Sequence, residues 1–405
     1  MSSIAIINSV LDYGSTGQLA RELYKAGNSL GYDMYMFYGR GKRQSDKHII
    51  KIDFDIEVLF HKLLSLLTGY QGYFSRHATS KLIKTLIKKN ISKVILLNLH
   101  GYYLNENCLF DYLKKNHVFT IYISPDEYPG LGKCCYNLDC NNYKTECKNC
   151  PSVKQYPTSL FFDRSNTIFN DKKNNYKDYK ELVLVGPLNN INKFKQSALT
   201  KNIKMKELSW GIDLGLYNYE LDTDICLKYN IPNDKIIILT VAKYSAKRKG
   251  VKDYFFEVAK RMVDTNYHFI NVGYDGNLTK EEMPSNMTTI GYINDQRELS
   301  KIYSLADLYL LPSTSDTMPL SCLIALACGT PICCFYTSGL KFLVPEDSLA
   351  IKYIYDINVD AIKSVLLRVN KKDKNTMLEC RRVAKDRYSI ETFTKKIFDI
   401  FGEEI

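Results

Sequence analysis

Four stretches of this 405-residue chain gather residue types able to do chemistry. In Asp316-Thr317-Met318-Pro319 a carboxylate precedes a helix start at Pro319, a position where the missing proline N–H is harmless. Gly329 suits the far end of that helix. Free N–H groups at a helix start can hold an anion or an array of hydroxyls, and the carboxylate can accept hydrogen bonds from a sugar. Arg248-Lys249-Gly250 places two cations where a strand gives way to a helix, a fitting clamp for a diphosphate; the alternative is a basic surface turn. Gly14-Ser15-Thr16-Gly17 stands at another strand-to-helix turn, where glycines let backbone approach a ligand closely or simply make a tight turn. Finally, Cys134-Cys135-x4-Cys140-x6-Cys147-x2-Cys150 contains a Cys-x2-Cys pair with further thiols nearby. Cys135, Cys140, Cys147 and Cys150 are the expected ligands of a structural zinc that pins a loose loop, against free or disulfide-prone thiols.

The elements that must position these residues alternate between strand and helix. Ile4–Val10 is a continuous apolar run, as in a strand buried on both faces. Leu19, Leu23, Ala26 and Leu30 then follow a helical period, and Met34–Tyr38 is a second strand. Strand–loop–helix–strand in this order reads as a βαβ unit of a parallel sheet. Further strands are predicted at Val94–Leu99, Val118–Ile123 and Leu182–Val185. A second series has strands at Ile236–Ala242, His268–Val272, Leu308–Leu311 and Pro331–Phe335, with helices between them. The expectation is two doubly wound α/β domains facing a cleft: residues 1–187, a linker over 188–214, a second domain over 215–375, and C-terminal helices over 376–405 that pack back toward the first domain.

Two amphipathic stretches lie in the first domain. One is Ile56–Leu67, with Leu59, Phe60, Leu63, Leu64 and Leu67 on one side; the other is Lys81–Lys89. Such helices can lie on an acidic membrane surface, but packing on a sheet is the preferred reading.

Hydrophobic residues at 45% and charged residues at 24% fit an ordinary globular protein and exclude a disordered one. The net charge of +11 is uneven: +8 over residues 1–187 and +3 over the rest. A basic N-terminal half suits an anionic partner, or is a solvated basic face. The opening MSSIAIINSV lacks the basic flank of a signal peptide, and no run approaches bilayer-spanning length, so a cytoplasmic location is expected. There the twelve cysteines should be thiols or metal ligands. No helix-turn-helix or finger pattern accompanies the basic charge, which argues against a nucleic-acid partner.

The run LPSTSDTMPLSCLIALACGTPICCF resembles the signature region of family-4 retaining glycosyltransferases, in which Glu-x7-Glu precedes Ala-x-Ala-Cys-Gly-Thr-Pro. The resemblance implies a GT-B fold of two Rossmann-like domains. It matches Asp316 to the acidic residue that contacts the transferred sugar, and Thr317, Met318 and Pro319 to the loop whose amides hold sugar and phosphate. VAKYSAKRKGVKDYF resembles the segment in which Arg248 and Lys249 would neutralise the leaving nucleotide diphosphate. SVLDYGSTGQLARELYKAGNSLGYDMYMFYGRG, the His100–Asn105 run and the cysteine loop ending in Cys150-Pro151 resemble a subfamily of capsule, O-antigen and colanic-acid clusters. There the loop carrying Gly14, Ser15 and Gly17 faces the donor phosphates, while His100 and Asp126 are candidates to touch acceptor or sugar.

Three positions depart from the pattern. Ile324 stands where the second Glu binds ribose, Pro125 where a His precedes Asp126, and Trp210 where Asn precedes Gly-Ile-Asp.

The resemblance therefore implies a metal-independent, retaining transfer from a nucleotide-diphosphate sugar to a glycan or lipid-linked oligosaccharide, at the inner face of the cell membrane, with no cofactor beyond the structural zinc. Ile324 and Pro125 motivate an alternative, a binding subunit that has lost catalysis. A sugar-nucleotide epimerase would need positioned acid–base groups, and no convincing set is visible.

Overall fold

The computed structural model describes residues 3–52, 54–137, 140–279 and 281–403. The chain divides into two units, Met1–Leu208 with Phe393–Ile405, and Ser209–Thr392.

Among the described residues, unit 1 has seven parallel strands: β1 (Ser3–Val10), β2 (Asp33–Arg40), β3 (Ile49–Lys51), β4 (Lys93–Leu96), β5 (Phe119–Ile123), β6 (Leu182–Gly186) and β7 (Lys204–Glu207). Their order is β3-β2-β1-β4-β5-β6-β7. The central strands are the continuous apolar runs, because helices cover both faces of a parallel sheet. Ile7, Phe37, Leu96, Tyr122 and Leu184 are fully or almost fully buried in that core. The strand order reverses between β1 and β4, so the loops after these strands open the crevice where such sheets bind ligands.

Unit 2 repeats the plan with β8 (Ile236–Val241), β9 (Tyr267–Val272), β10 (Met287–Ile290), β11 (Leu308–Leu311), β12 (Ile332–Phe335) and β13 (Ile351–Ile354). Their order is β10-β9-β8-β11-β12-β13, all parallel, and the reversal falls between β8 and β11.

The stretch 188–214, read from sequence as a linker, holds the helix Leu188–Gln196 and β7, which pairs with β6. Helix Lys374–Tyr388 stays in unit 2, where Arg381 donates to the Ala327 carbonyl at 2.9 Å. From Phe393 onward the chain rejoins unit 1: Phe398 stacks on Tyr32 and Phe401 meets Phe119 edge-on, with ring centroids 5.3 and 5.6 Å apart.

The helix Asp55–Thr68 corrects the packing expectation for its apolar side. Val58, His61 and Ser65 face inward, whereas Ile56, Leu59, Phe60, Leu63 and Leu67 are exposed to between 39% and 76%. Helix Arg76–Lys88 does pack as expected, with Leu82 and Leu86 buried. No helix among the described residues is long and apolar enough to cross a membrane.

Candidate active site

In unit 2 the loops after β8 and β11 meet at the switch point. The first ends in the turn Lys247–Lys249 and Gly250, whose φ is +67°. A Cβ at position 250 would lie 2.1 Å from the Pro312 carbonyl oxygen, so the approach of the two loops requires glycine. The next helix opens with a π-turn, Val251–Phe256, in which the Phe255 N–H reaches back to the Gly250 carbonyl. The Thr314 N–H and Ser313 hydroxyl both donate to the Arg248 carbonyl at 3.1 Å, and the Arg248 guanidinium donates to the Ser315 carbonyl.

These bonds bring both cations to one carboxylate. Lys249 Nζ lies 2.6 Å and Arg248 Nη1 3.2 Å from Asp316 Oδ2. Asp316 is only 7% exposed. Burial alone would raise its pKa, but the charges of Lys249 and Arg248 and their hydrogen bonds override burial and hold the carboxyl below its ordinary range. The cluster can therefore present fixed positive charge to an anion while Asp316 stays ionised.

A third loop, after β12, supports the second. The Gly339 N–H donates to the Asp316 carbonyl at 2.9 Å, and a Cβ at 339 would fall 1.8 Å from the Thr317 carbonyl oxygen. Sequence reasoning missed this loop. The small residues Thr337-Ser338-Gly339 after an apolar strand were the available signal. Met318 Sδ accepts the Trp210 N–H at 3.2 Å, and Pro319 caps the helix Leu320–Ala327 without a side-chain hydrogen bond. Thr317 Oγ1 and Thr337 Oγ1 are buried and have no hydrogen-bond partner in the protein, a state that costs about 1–3 kcal/mol each. Ile324 is buried in the apolar helix Leu320–Ala327 and brings no charge to the site.

Unit 1 holds a second cluster. His100, after β4, places Nε2 2.7 Å from Asp126 Oδ2, after β5, and both residues are buried. His100 Nδ1 lies 3.1 Å from the Tyr156 hydroxyl, and Asp126 Oδ1 accepts the Tyr128 N–H at 3.0 Å. Behind the pair, the Tyr128 hydroxyl donates to Glu106, while Lys172 Nζ donates to the Tyr128 carbonyl at 2.9 Å and lies 3.1 Å from the Tyr128 ring centroid. Burial pushes the Lys172 ammonium down to about 8 and the Glu106 carboxyl up. Gly14 and Ser15 are exposed at the uncapped start of helix Gly14–Ser29, after β1, and Gly17 is buried one turn on. The glycine turn and His100 thus follow the two strands flanking the switch point of unit 1.

The cysteine expectation needs one correction. Cys135 is not with the other three thiols. It is buried, and its sulfur lies with His100 and Asp126, all ligand atoms within 4.8 Å of one another. Its neighbour Cys134, not Cys135, joins Cys140, Cys147 and Cys150 around a cavity of about 10 Å3.

Residues 235–367 match a family model described as Glycosyl transferases group 1. In sequence, alpha-monoglucosyldiacylglycerol synthase of Acholeplasma laidlawii is 25% identical over 177 residues, 42% of this chain and 44% of that protein. The chain spans less than half the length of the curated relatives it matches. In structure, sucrose-phosphate synthase of Thermosynechococcus elongatus superposes with a TM-score of 0.67 at 16% identity, covering 100% of this chain and 99% of that one. Anabaena Alr3699/HepE in complex with UDP gives 0.63 at 11% identity over 100% of both chains. The chain therefore has the two-sheet GT-B fold, and the segment that matches the group 1 glycosyltransferase model, 235–367, lies within unit 2.

Proposed function

We propose that this protein is a retaining, metal-independent glycosyltransferase that moves a sugar from a nucleotide-diphosphate donor to a glycan acceptor carried on a lipid, in the synthesis of a bacterial surface polysaccharide. The observation that carries the reading is the convergence of Arg248, Lys249 and Asp316 at the β8/β11 switch point. In this mechanism the donor diphosphate takes the two cations from Asp316. The freed carboxylate accepts hydrogen bonds from the sugar hydroxyls, and Thr317 Oγ1 gains the partner it lacks. As the glycosidic bond breaks, negative charge grows on the diphosphate, where Arg248 and Lys249 are already fixed. The acceptor hydroxyl attacks from the face the diphosphate leaves and passes its proton to that departing group, so no protein base is needed. The HepE structure's bound UDP supports the donor class.

The acceptor reading rests on the exposed face of helix Asp55–Thr68. Ile56, Leu59, Phe60 and Leu63 present apolar area beside Lys62, and unit 1 is rich in basic residues. An acidic membrane surface would cover that face and bring the lipid-borne acceptor to the enzyme. The location that follows is the cytoplasmic face of the cell membrane.

The test is release of free nucleotide diphosphate by purified protein across a panel of sugar nucleotides and lipid-linked acceptors. Omitting divalent metal salts from the assay should leave the rate unchanged, and product NMR should show the donor's anomeric configuration. An inverted product overturns the retaining mechanism. The buried Ile324 favours a second reading, a binding subunit without turnover; calorimetry that gives no heat with any sugar nucleotide would support it.

A further inference from the structure

The chain from the end of β5 to the helix Ser165–Tyr176 runs for some forty residues with only two single turns of regular structure among its described residues, Tyr128–Gly130 and Asn142–Lys144. A segment this long and irregular inside a folded unit needs something besides backbone pairing to hold it. Its first half is held by charge: Lys193 Nζ reaches Glu127 and Asn137 at 2.5 Å, and Lys172 Nζ holds the Leu131 carbonyl. Across its middle lie the thiols of Cys134, Cys140, Cys147 and Cys150.

We infer that Cys134, Cys140, Cys147 and Cys150 form a tetrathiolate site for one structural zinc ion. All four line one cavity of about 10 Å3, the size of a single small occupant, together with Lys133 and Lys148. The Cys134 thiol hydrogen-bonds the Cys150 sulfur. Two backbone amides aim at sulfur: the Gly132 N–H at Cys147 and the Ser152 N–H at Cys150. Such amide–sulfur bonds are the outer contacts that orient and stabilise metal-bound thiolate. Gly132 packs tightly here: a Cβ there would sit 3.1 Å from Cys147 Sγ and press that side chain aside. Zinc held by four thiolates carries net negative charge, and Lys133, buried with Nζ 2.7 Å from the Val153 carbonyl, supplies a fixed positive charge at the cavity wall. On binding, each thiol gives its proton to solvent. The ion would tie down the chain between Cys134 and Cys150, just before Tyr156 reaches His100.

The test is the metal content of the full chain purified under reducing conditions without chelator. About one zinc per chain is expected. Cys134→Ser, Cys140→Ser, Cys147→Ser and Cys150→Ser should each lose most of it, and Cys135→Ser should keep it. Because a Ser variant can fail by misfolding, the wild-type protein is also stripped and titrated with Co(II), which should give the thiolate charge-transfer and visible bands of a tetrahedral site. The inference is overturned by zinc-free protein that shows no such bands, by a Cys134–Cys150 disulfide in protein extracted from reducing cytosol, or by equal metal loss in the Cys135 and Cys134 variants.

Discussion

Lys249 and Asp316 stand 67 residues apart in sequence and meet in a 2.6 Å ion pair that Arg248 shares. The shared carboxylate holds both cations at one point, so on the proposed reading they are already gathered for a diphosphate.

Arg248→Ala and Lys249→Ala should each lower kcat/KM, with the double variant down by about a hundredfold or more, since both charges oppose the charge that develops on the leaving group. Initial rates at subsaturating donor read this directly. Unchanged rates would remove both residues from the site.

The same cluster sets an acid limit. The folded-state pKa of Asp316 is depressed, so its stabilising contribution is complete above the unfolded value and is lost as pH falls through the folded one. Wild-type melting temperature should therefore fall more steeply below about pH 4 than that of Asp316→Asn. Parallel acid slopes for the two proteins would contradict this.

Gly339→Ala should destabilise unit 2 and lower donor affinity together, because its Cβ would collide with the Thr317 carbonyl and push away the loop that carries Asp316. Thermal unfolding and nucleotide titration of one preparation test both halves. A normal melting temperature would show that the loops part without cost.

Ile324→Glu should cost about 1–3 kcal/mol of stability without ligand, because it buries a carboxyl without a built partner. If donor ribose lies beside this helix, the variant should bind nucleotide roughly ten- to a hundredfold more tightly, the worth of a charged hydrogen bond. Calorimetry with nucleoside diphosphates decides; unchanged affinity would put the ribose elsewhere.

Replacing Leu59, Phe60 and Leu63 together by Ser should abolish binding to anionic vesicles and leave the melting temperature within a degree or two, since these side chains already face solvent. Co-sedimentation with vesicles of anionic and of neutral lipid reads it. A large loss of stability would mean that the face is covered within the protein.

The core of each sheet was legible because strands buried on both faces are unbroken apolar runs: Ile4–Val10, Leu182–Val185, Ile236–Ala242. The strands that escaped reading are β3, β7, β10 and β13, the two edges of each sheet. An edge strand has one neighbour and a partly wet face, so β7, Lys-Met-Lys-Glu, shows no apolar signal at all. The Arg248, Lys249 and Asp316 segments were legible because strand–loop–helix punctuation surrounds them. The choice between Cys134 and Cys135 was not, since spacing does not say which of two adjacent thiols turns outward. Nor was the outward face of helix Asp55–Thr68: its 3.6-residue period marks an apolar stripe, but not what covers it.

Unit 1 is discontinuous in the gene order. The ribosome releases its seven strands first, then all of unit 2, and only afterwards the helix that lays Phe398 on Tyr32 and Phe401 against Phe119. During that interval a nascent first sheet carries bare aromatic surface. Its completion must await synthesis of the second fold, so the unit made first is the last to be sealed.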